Sequence, residues 1–168
     1  MGVTADPPLA AARARAATVA DIPEIVRLAG VMFASMGVAG DDPGWGRAGA
    51  EIVEARLGDD LAVFVVDHPS SAGLAASAAG TIARRLPGPL NPSGRCGYVQ
   101  WVATDADQRN QGRGRAVMTA LLEWFDDNAV EIVELHATRD GEALYRSLGF
   151  DDGGPIALRR RRARVDAG

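Results

Sequence analysis

Residues 105–116 read Asp-Ala-Asp-Gln-Arg-Asn-Gln-Gly-Arg-Gly-Arg-Ala, with three arginines and two glycines close together. An apolar, strand-like run precedes this stretch and a helical periodicity follows it. The first four N–H groups of a helix have no partner inside it. The helix dipole adds about half a positive charge at the same end. Gly112 and Gly114 remove side chains, so a ligand can approach the backbone. Arg109, Arg113 and Arg115 add full charges. Together these features make an anion cradle best matched to a pyrophosphate. A Walker-type loop is excluded because no Gly-Lys-Ser/Thr is present, and Val117 stands where a dinucleotide fingerprint wants its third glycine.

A second group of residues offers acid–base chemistry. Glu134 and His136 alternate with Ile132, so the three share one face of an expected strand. Asp41 and Asp42 lie in a Gly/Asp/Pro-rich loop and are further candidate bases. Residues 98–104 carry no Asp or Glu, so a proton leaving this region is expected to pass through water toward His136, Glu134 or solvent. Trp45 and Trp101 can form an aromatic wall for a cationic substrate, with ordinary packing as the competing role of each. Two histidines and one cysteine give no metal-ligand spacing, so no metal is expected.

The elements that must position these groups follow from periodicity and punctuation. Residues 13–18 suit a short strand. Asp21 with Glu24 three residues on reads as a capping box, ahead of Ile22, Ile25, Ala29, Met32 and Met36 at helical spacing. A second helix is expected over 47–57. The continuous apolar run 61–66 fits a strand covered on both faces. Strands are expected over 74–85 and 98–104, with a Pro- and Gly-dense loop between them. Residues 112–127 form the clearest helix, with Val117, Leu121, Trp124 and Phe125 on one stripe. A strand over 131–137, a short helix over 142–148 stopped by Gly149, and a last strand over 156–159 complete the order. This is a mixed α/β layer fold around one central sheet.

The chain has 168 residues, enough for one domain, here 13–160. Residues 1–12 are expected to be disordered, and 161–168 to form a basic tail. The net charge is −4 even though five arginines fall in the last ten residues, so the body is distinctly acidic. An acidic body is a poor partner for nucleic acid and a reasonable one for a cationic small molecule. No apolar run reaches membrane-span length, and a lone Cys96 fits a reducing compartment, so a cytoplasmic protein is expected, monomeric or homodimeric.

Arg109-x-x-Gly112-x-Gly114, preceded by Gly-Tyr-Val-Gln-Trp-Val-Ala-Thr, resembles the acetyl-coenzyme A signature of the GNAT superfamily of N-acetyltransferases. The downstream Leu144-Tyr145-Arg-Ser-Leu148-Gly149-Phe150 is similar to that family's second block. Ala106 departs from the proline that many members carry there. The resemblance implies a central mixed sheet of about six to seven strands flanked by about four helices. It implies that the backbone of Gln111, Gly112, Arg113, Gly114 and Arg115, with Arg109 and the intervening Asn110, holds the pyrophosphate of acetyl-CoA. It further implies that the backbone of Val102, Ala103 and Thr104 pairs with the pantetheine arm, and that Tyr145 faces the sulfur and protonates or hydrogen-bonds the departing thiolate. The acceptor it implies is a small-molecule amine. A protein or peptide amine, or a coenzyme A-binding regulatory role without turnover, are the alternatives.

Overall fold

The computed structural model describes residues 12–38, 44–154 and 158–160. In chain order the elements are β1 (Arg15–Ala16), α1 (Ile22–Ser35), α2 (Gly44–Arg56), β2 (Leu61–Asp67), β3 (Leu74–Arg84), β4 (Arg95–Thr104), α3 (Arg113–Asp127), β5 (Ile132–Glu134) and α4 (Arg139–Ser147). Short 3-10 turns at Val19–Asp21 and Ala106–Gln108 lead into α1 and into the glycine loop. The five strands form one sheet in the order β1-β2-β3-β4-β5. The first four are antiparallel to their neighbours, and β4 and β5 are parallel.

Helix α3 covers one face of the sheet and α1 the other, which is why β2 is apolar from Leu61 to Val66 rather than alternating. On the α3 face, Val117, Met118, Leu121 and Phe125 are fully buried against Ala62, Val66, Ala78 and Val99. Burying a side chain of this size contributes about 1.5–3 kcal/mol. On the α1 face, Ile25 and Leu28 meet Val63, Val65, Ala79 and Ala103. Gly80 and Gly97 lie under the ring of Phe125, where a β-carbon would stand 2.6 and 2.7 Å from ring atoms. These two glycines let α3 settle close to β3 and β4, which fixes where its N-terminus emerges.

Several boundaries differ from those expected. The capping interaction begins one turn earlier: Asp21 accepts from the Thr18 amide (2.7 Å) and hydroxyl (3.0 Å), while Glu24 reaches across to the Leu74 amide (3.0 Å). Helix α2 starts at Gly44, so Trp45 belongs to its first turn and not to the loop before it. Helix α4 starts at Arg139 because Thr138 caps it, accepting from the Gly141 amide. Strand β5 ends at Glu134, leaving His136 beyond it. The described residues give five strands where six to seven were expected. The expected strand over 156–159 lies partly outside the described residues, and Leu158 to Arg160 form no strand. The segments 1–11 and 161–168, and the loop with Asp41 and Asp42, also lie outside the described residues. Among those described, no helix is long and apolar enough to cross a membrane.

Candidate active site

The site is built where β4 stops being an ordinary strand. Its register against β3 shifts between Ser77 and Ala79, which pair with Ala103 and Gln100. Trp101 and Val102 therefore stand opposite the single Ala78. Trp101 takes a positive φ of 53°. A bulge of this kind leaves the extra residue outside the ladder and re-aims its neighbours. On the other side, pairing of β4 with β5 ends at Tyr98 and Glu134. From Val99 to Thr104 the β5 side of β4 carries no strand among the described residues. Backbone groups of Val102, Ala103 and Thr104 thus face a fork between two parting strands, an edge that an extended ligand arm can pair with.

The fork leads to the glycine loop. Asn110 (φ 58°) and Gly112 (φ 75°) are both left-handed, so the chain turns sharply twice before α3. Asparagine and glycine are the residues that tolerate this. The first α3-region amide donating back along the chain is that of Ala116, to the Gly112 carbonyl (3.0 Å). The amides of Arg113, Gly114 and Arg115 precede it and have no helical acceptor. A β-carbon on Gly112 would meet nothing within 4 Å, so the space over the loop is open. At Gly114 the nearest atoms are Thr104 Oγ1 and Leu144 Cδ2, each 3.5 Å from such a carbon. The cradle is thus joined to the end of β4 and to α4.

The three arginines have separate positions. Arg109 is exposed and its Nε lies 3.4 Å from the Thr104 carbonyl. Arg115 crosses to α4 and donates to Ser147 Oγ (2.7 Å). Arg113 is buried, with Nη1 on Gln111 Oε1 and Nε without a hydrogen-bond partner. Its backbone belongs to the cradle, while its side chain is folded into the protein.

Tyr145 follows Leu144 on α4, and its ring packs edge-on to Phe150 at 6.1 Å. Its hydroxyl makes no hydrogen bond among the described residues. Burial pushes the phenol above its ordinary pKa, which favours hydrogen-bond donation over release of the proton. Tyr145 also helps wall a cleft of about 840 Å³ along β5, with Val133, Leu135, Leu148 and Phe150. That cleft lies beside the fork and does not include the glycine loop.

On the opposite face, Phe33 of α1, Trp45 of α2 and Trp101 of the bulge form an aromatic corner. Ring centroids are 5.1 Å apart for Phe33–Trp45 and 6.1 Å for Trp45–Trp101, both edge-to-face. Trp101 lies so close over Gly49 that a β-carbon there would stand 2.3 Å from its ring. Both tryptophans stand together as expected from the sequence, and Phe33 joins them without any sequence signal.

Glu134 receives both Nη atoms of Arg85, at 2.9 and 2.5 Å. This hydrogen bonding holds its carboxyl below the usual range, which makes it a weak base. His136 accepts or donates a 2.7 Å hydrogen bond with Tyr98 Oη, a partner the sequence reading missed. Strand alternation was the available signal, and it places Tyr98 only on the opposite sheet face from Gly97; the pairing with β5 comes from the structure. Among the described residues no cluster of three or more His, Cys, Asp or Glu is placed to hold a metal ion.

A sequence profile described as the Acetyltransferase (GNAT) family matches residues 42–150. No curated protein matches the chain in sequence. Among solved structures, one from Clostridium acetobutylicum, described as a predicted acetyltransferase with acetyl-CoA, superposes with a TM-score of 0.77 at 19% identity, covering 88% of this chain and 95% of that one. Glucosamine-6-phosphate N-acetyltransferase from Arabidopsis thaliana gives 0.69 at 17% identity, covering 88% and 97%. AAC(6')-Iy in complex with the bisubstrate analogue CoA-S-monomethyl-acetylneamine gives 0.70 at 14% identity, covering 89% and 97%. At these identities the likeness is one of fold.

Proposed function

The chain belongs to the GNAT family of acetyltransferases, and on that footing we propose that it moves the acetyl group of acetyl-CoA to the primary amine of a small molecule. The observation that carries this reading is the continuity of the open edge of β4 with the unpartnered amides of residues 113–115. The pyrophosphate would rest on those amides, with Arg109 beside them. The pantetheine arm would pair along Val102, Ala103 and Thr104. The thioester would then lie in the fork by the bulge, where a re-aimed amide can stabilise the oxyanion formed on attack.

The amine attacks the thioester carbon directly and the thiolate leaves. Tyr145 would hydrogen-bond the departing sulfur. A reference tyrosine is about 1.5 pKa units weaker an acid than a thiol, and burial widens that gap, so proton transfer is uphill. The aromatic corner of Phe33, Trp45 and Trp101 favours a small cationic acceptor over a polypeptide, because aromatic rings packed edge-to-face beside the bulge can attract an ammonium or its alkyl stem. Among the structural neighbours, AAC(6')-Iy holds a neamine-derived bisubstrate analogue. The lone, buried Cys96 fits a reducing compartment such as the cytoplasm.

A panel of polyamines, amino sugars, amino-acid amides and lysine peptides, followed by release of the coenzyme A thiol, tests the reading. Release with a small amine is expected. Release with peptides alone would move the function to protein acetylation, and binding of acetyl-CoA without release to any acceptor would make the chain a sensor.

A further inference from the structure

The amine must lose a proton as it becomes an amide, and Glu134, held by both Nη atoms of Arg85, is a poor acceptor for it. Tyr98 and Glu134 are the last pair of the β4–β5 ladder, and His136 lies two residues further, where the strands have parted. Across that gap Tyr98 Oη and His136 Nδ1 are 2.7 Å apart, with the rings edge-to-face at 5.9 Å. The pair therefore bridges the mouth of the fork. Tyr98 lies on the sheet face away from α3, since the adjacent Gly97 is the residue under Phe125. That is the face on which Trp101 meets α2. Three residues of strand, roughly 10 Å, separate Tyr98 from the bulge. Glu134 on β5 interacts electrostatically with His136 and is itself paired with Arg85 beyond β3. His136 itself is exposed to solvent.

We infer that Tyr98 and His136 form a proton relay for the acceptor amine. The inference rests on the acetyl-transfer reading. As the neutral amine nitrogen bonds to the thioester carbon, one of its protons passes, directly or through one water, to Tyr98 Oη. The proton of Tyr98 passes at the same time to His136 Nδ1. Tyr98 ends neutral and His136 ends as an imidazolium. The C–S bond breaks with its electron pair on sulfur, giving the amide and a thiolate hydrogen-bonded by Tyr145. His136, being exposed, then gives its proton to water. Imidazole suits this role because it has two ring nitrogens, so that Nδ1 can face Tyr98 while Nε2 passes a proton to solvent. Tyr98 is the residue that touches the acceptor or its water, and His136 acts through it.

The test uses the full chain in two arms. With the best acceptor from the amine panel, Tyr98→Phe and His136→Gln should each lower kcat at pH 7 by at least about tenfold, and by up to the roughly 10²–10⁴-fold that acid–base catalysis contributes. The KM for acetyl-CoA should stay within about twofold. The double variant should lose no more than the worse single one, because the two residues act in series. The losses should shrink as pH rises and hydroxide replaces the relay. Either single variant keeping wild-type kcat at pH 7, or a double variant whose loss is the product of the two, overturns the relay. The second arm needs no acceptor. The chain has two histidines, so imidazole nitrogen NMR can follow His136 with His68 as internal reference. Tyr98→Phe should move the His136 ring signals and its titration while leaving His68 in place. Identical His136 spectra in wild type and Tyr98→Phe would overturn the relay alone, whereas a wild type that transfers acetyl to no amine would overturn the transfer reading and the relay with it.

Discussion

Gly112 does two jobs that a side chain would oppose in different ways. Its φ of 75° strains any β-branched residue, and its open upper side is where the anion would approach. Asparagine separates the two effects because it tolerates left-handed backbone. Gly112→Asn should lower acetyl-CoA affinity at least tenfold by calorimetry, with the melting temperature moved by only a few degrees. Wild-type affinity in this variant would place the pyrophosphate elsewhere. Tyr145→Phe should cut kcat by about tenfold to a hundredfold with little change in KM for acetyl-CoA, since a hydrogen bond to the leaving sulfur matters in the transition state. An unchanged kcat under rate-limiting chemistry would remove Tyr145 from the reaction. At this scale the sequence was informative about backbone and poor about side-chain direction. The glycines marked where a ligand can reach the backbone, and the left-handed turns at Asn110 and Gly112 came only with the structure. Nothing in the spacing said that Arg113 would fold inward to Gln111 while Arg109 stayed exposed. Tyr98 and His136 are 38 residues apart, and only the parallel pairing of β4 with β5 makes them neighbours.

The N-terminal half of α1 ties the glycine loop to the sheet. Arg27 grips Asp105 with two bonds of 2.8 and 2.9 Å, donates to the Leu74 carbonyl, and is itself held by Glu24. Asp105 follows β4 and opens the glycine loop, and its amide donates to the Ala75 carbonyl (2.9 Å). An element far from the coenzyme in sequence thus sets the loop's starting point. Asp105→Ala should lower acetyl-CoA affinity and melting temperature together, the affinity by several-fold. A variant with reduced melting temperature and intact affinity would show that the loop keeps its shape without this clamp. The helices and the three long strands were readable because their apolar periods are long and their ends carry glycine or proline. The bulge was not readable, since it depends on the register of two strands and no residue type marks it. β5 is shorter than its apolar run suggested because its partner diverges after Glu134. Thr138 starts α4 before the apolar positions begin, so periodicity alone placed that start too late.

Across the whole molecule, carboxylates answered by arginines recur: Asp21 with Arg15, Glu24 with Arg27, Asp60 with Arg56 and Glu134 with Arg85. In each case hydrogen bonding to the arginine is the main cause that lowers the carboxyl pKa. A carboxyl group whose pKa is lower folded than unfolded stabilises the fold above its unfolded value, about 4. That stability is lost as pH falls from there toward the folded value. The melting temperature should therefore be level near neutrality and drop below about pH 4–5. Asp21→Asn, which removes the most strongly shifted of these groups, should flatten that acid limb; an unchanged limb would show that the pairs contribute nothing to acid stability. The same composition simplifies the decisive assay, because all 18 basic residues are arginine and the chain has no lysine of its own to acetylate. The central claim is transfer from acetyl-CoA to an amine, and isotope-labelled acetyl-CoA tests it most directly. With the best small amine, mass spectrometry should find labelled N-acetyl product in one-to-one ratio with free coenzyme A thiol. Thiol released with the label recovered only as acetate, or no thiol released with any amine, would contradict it.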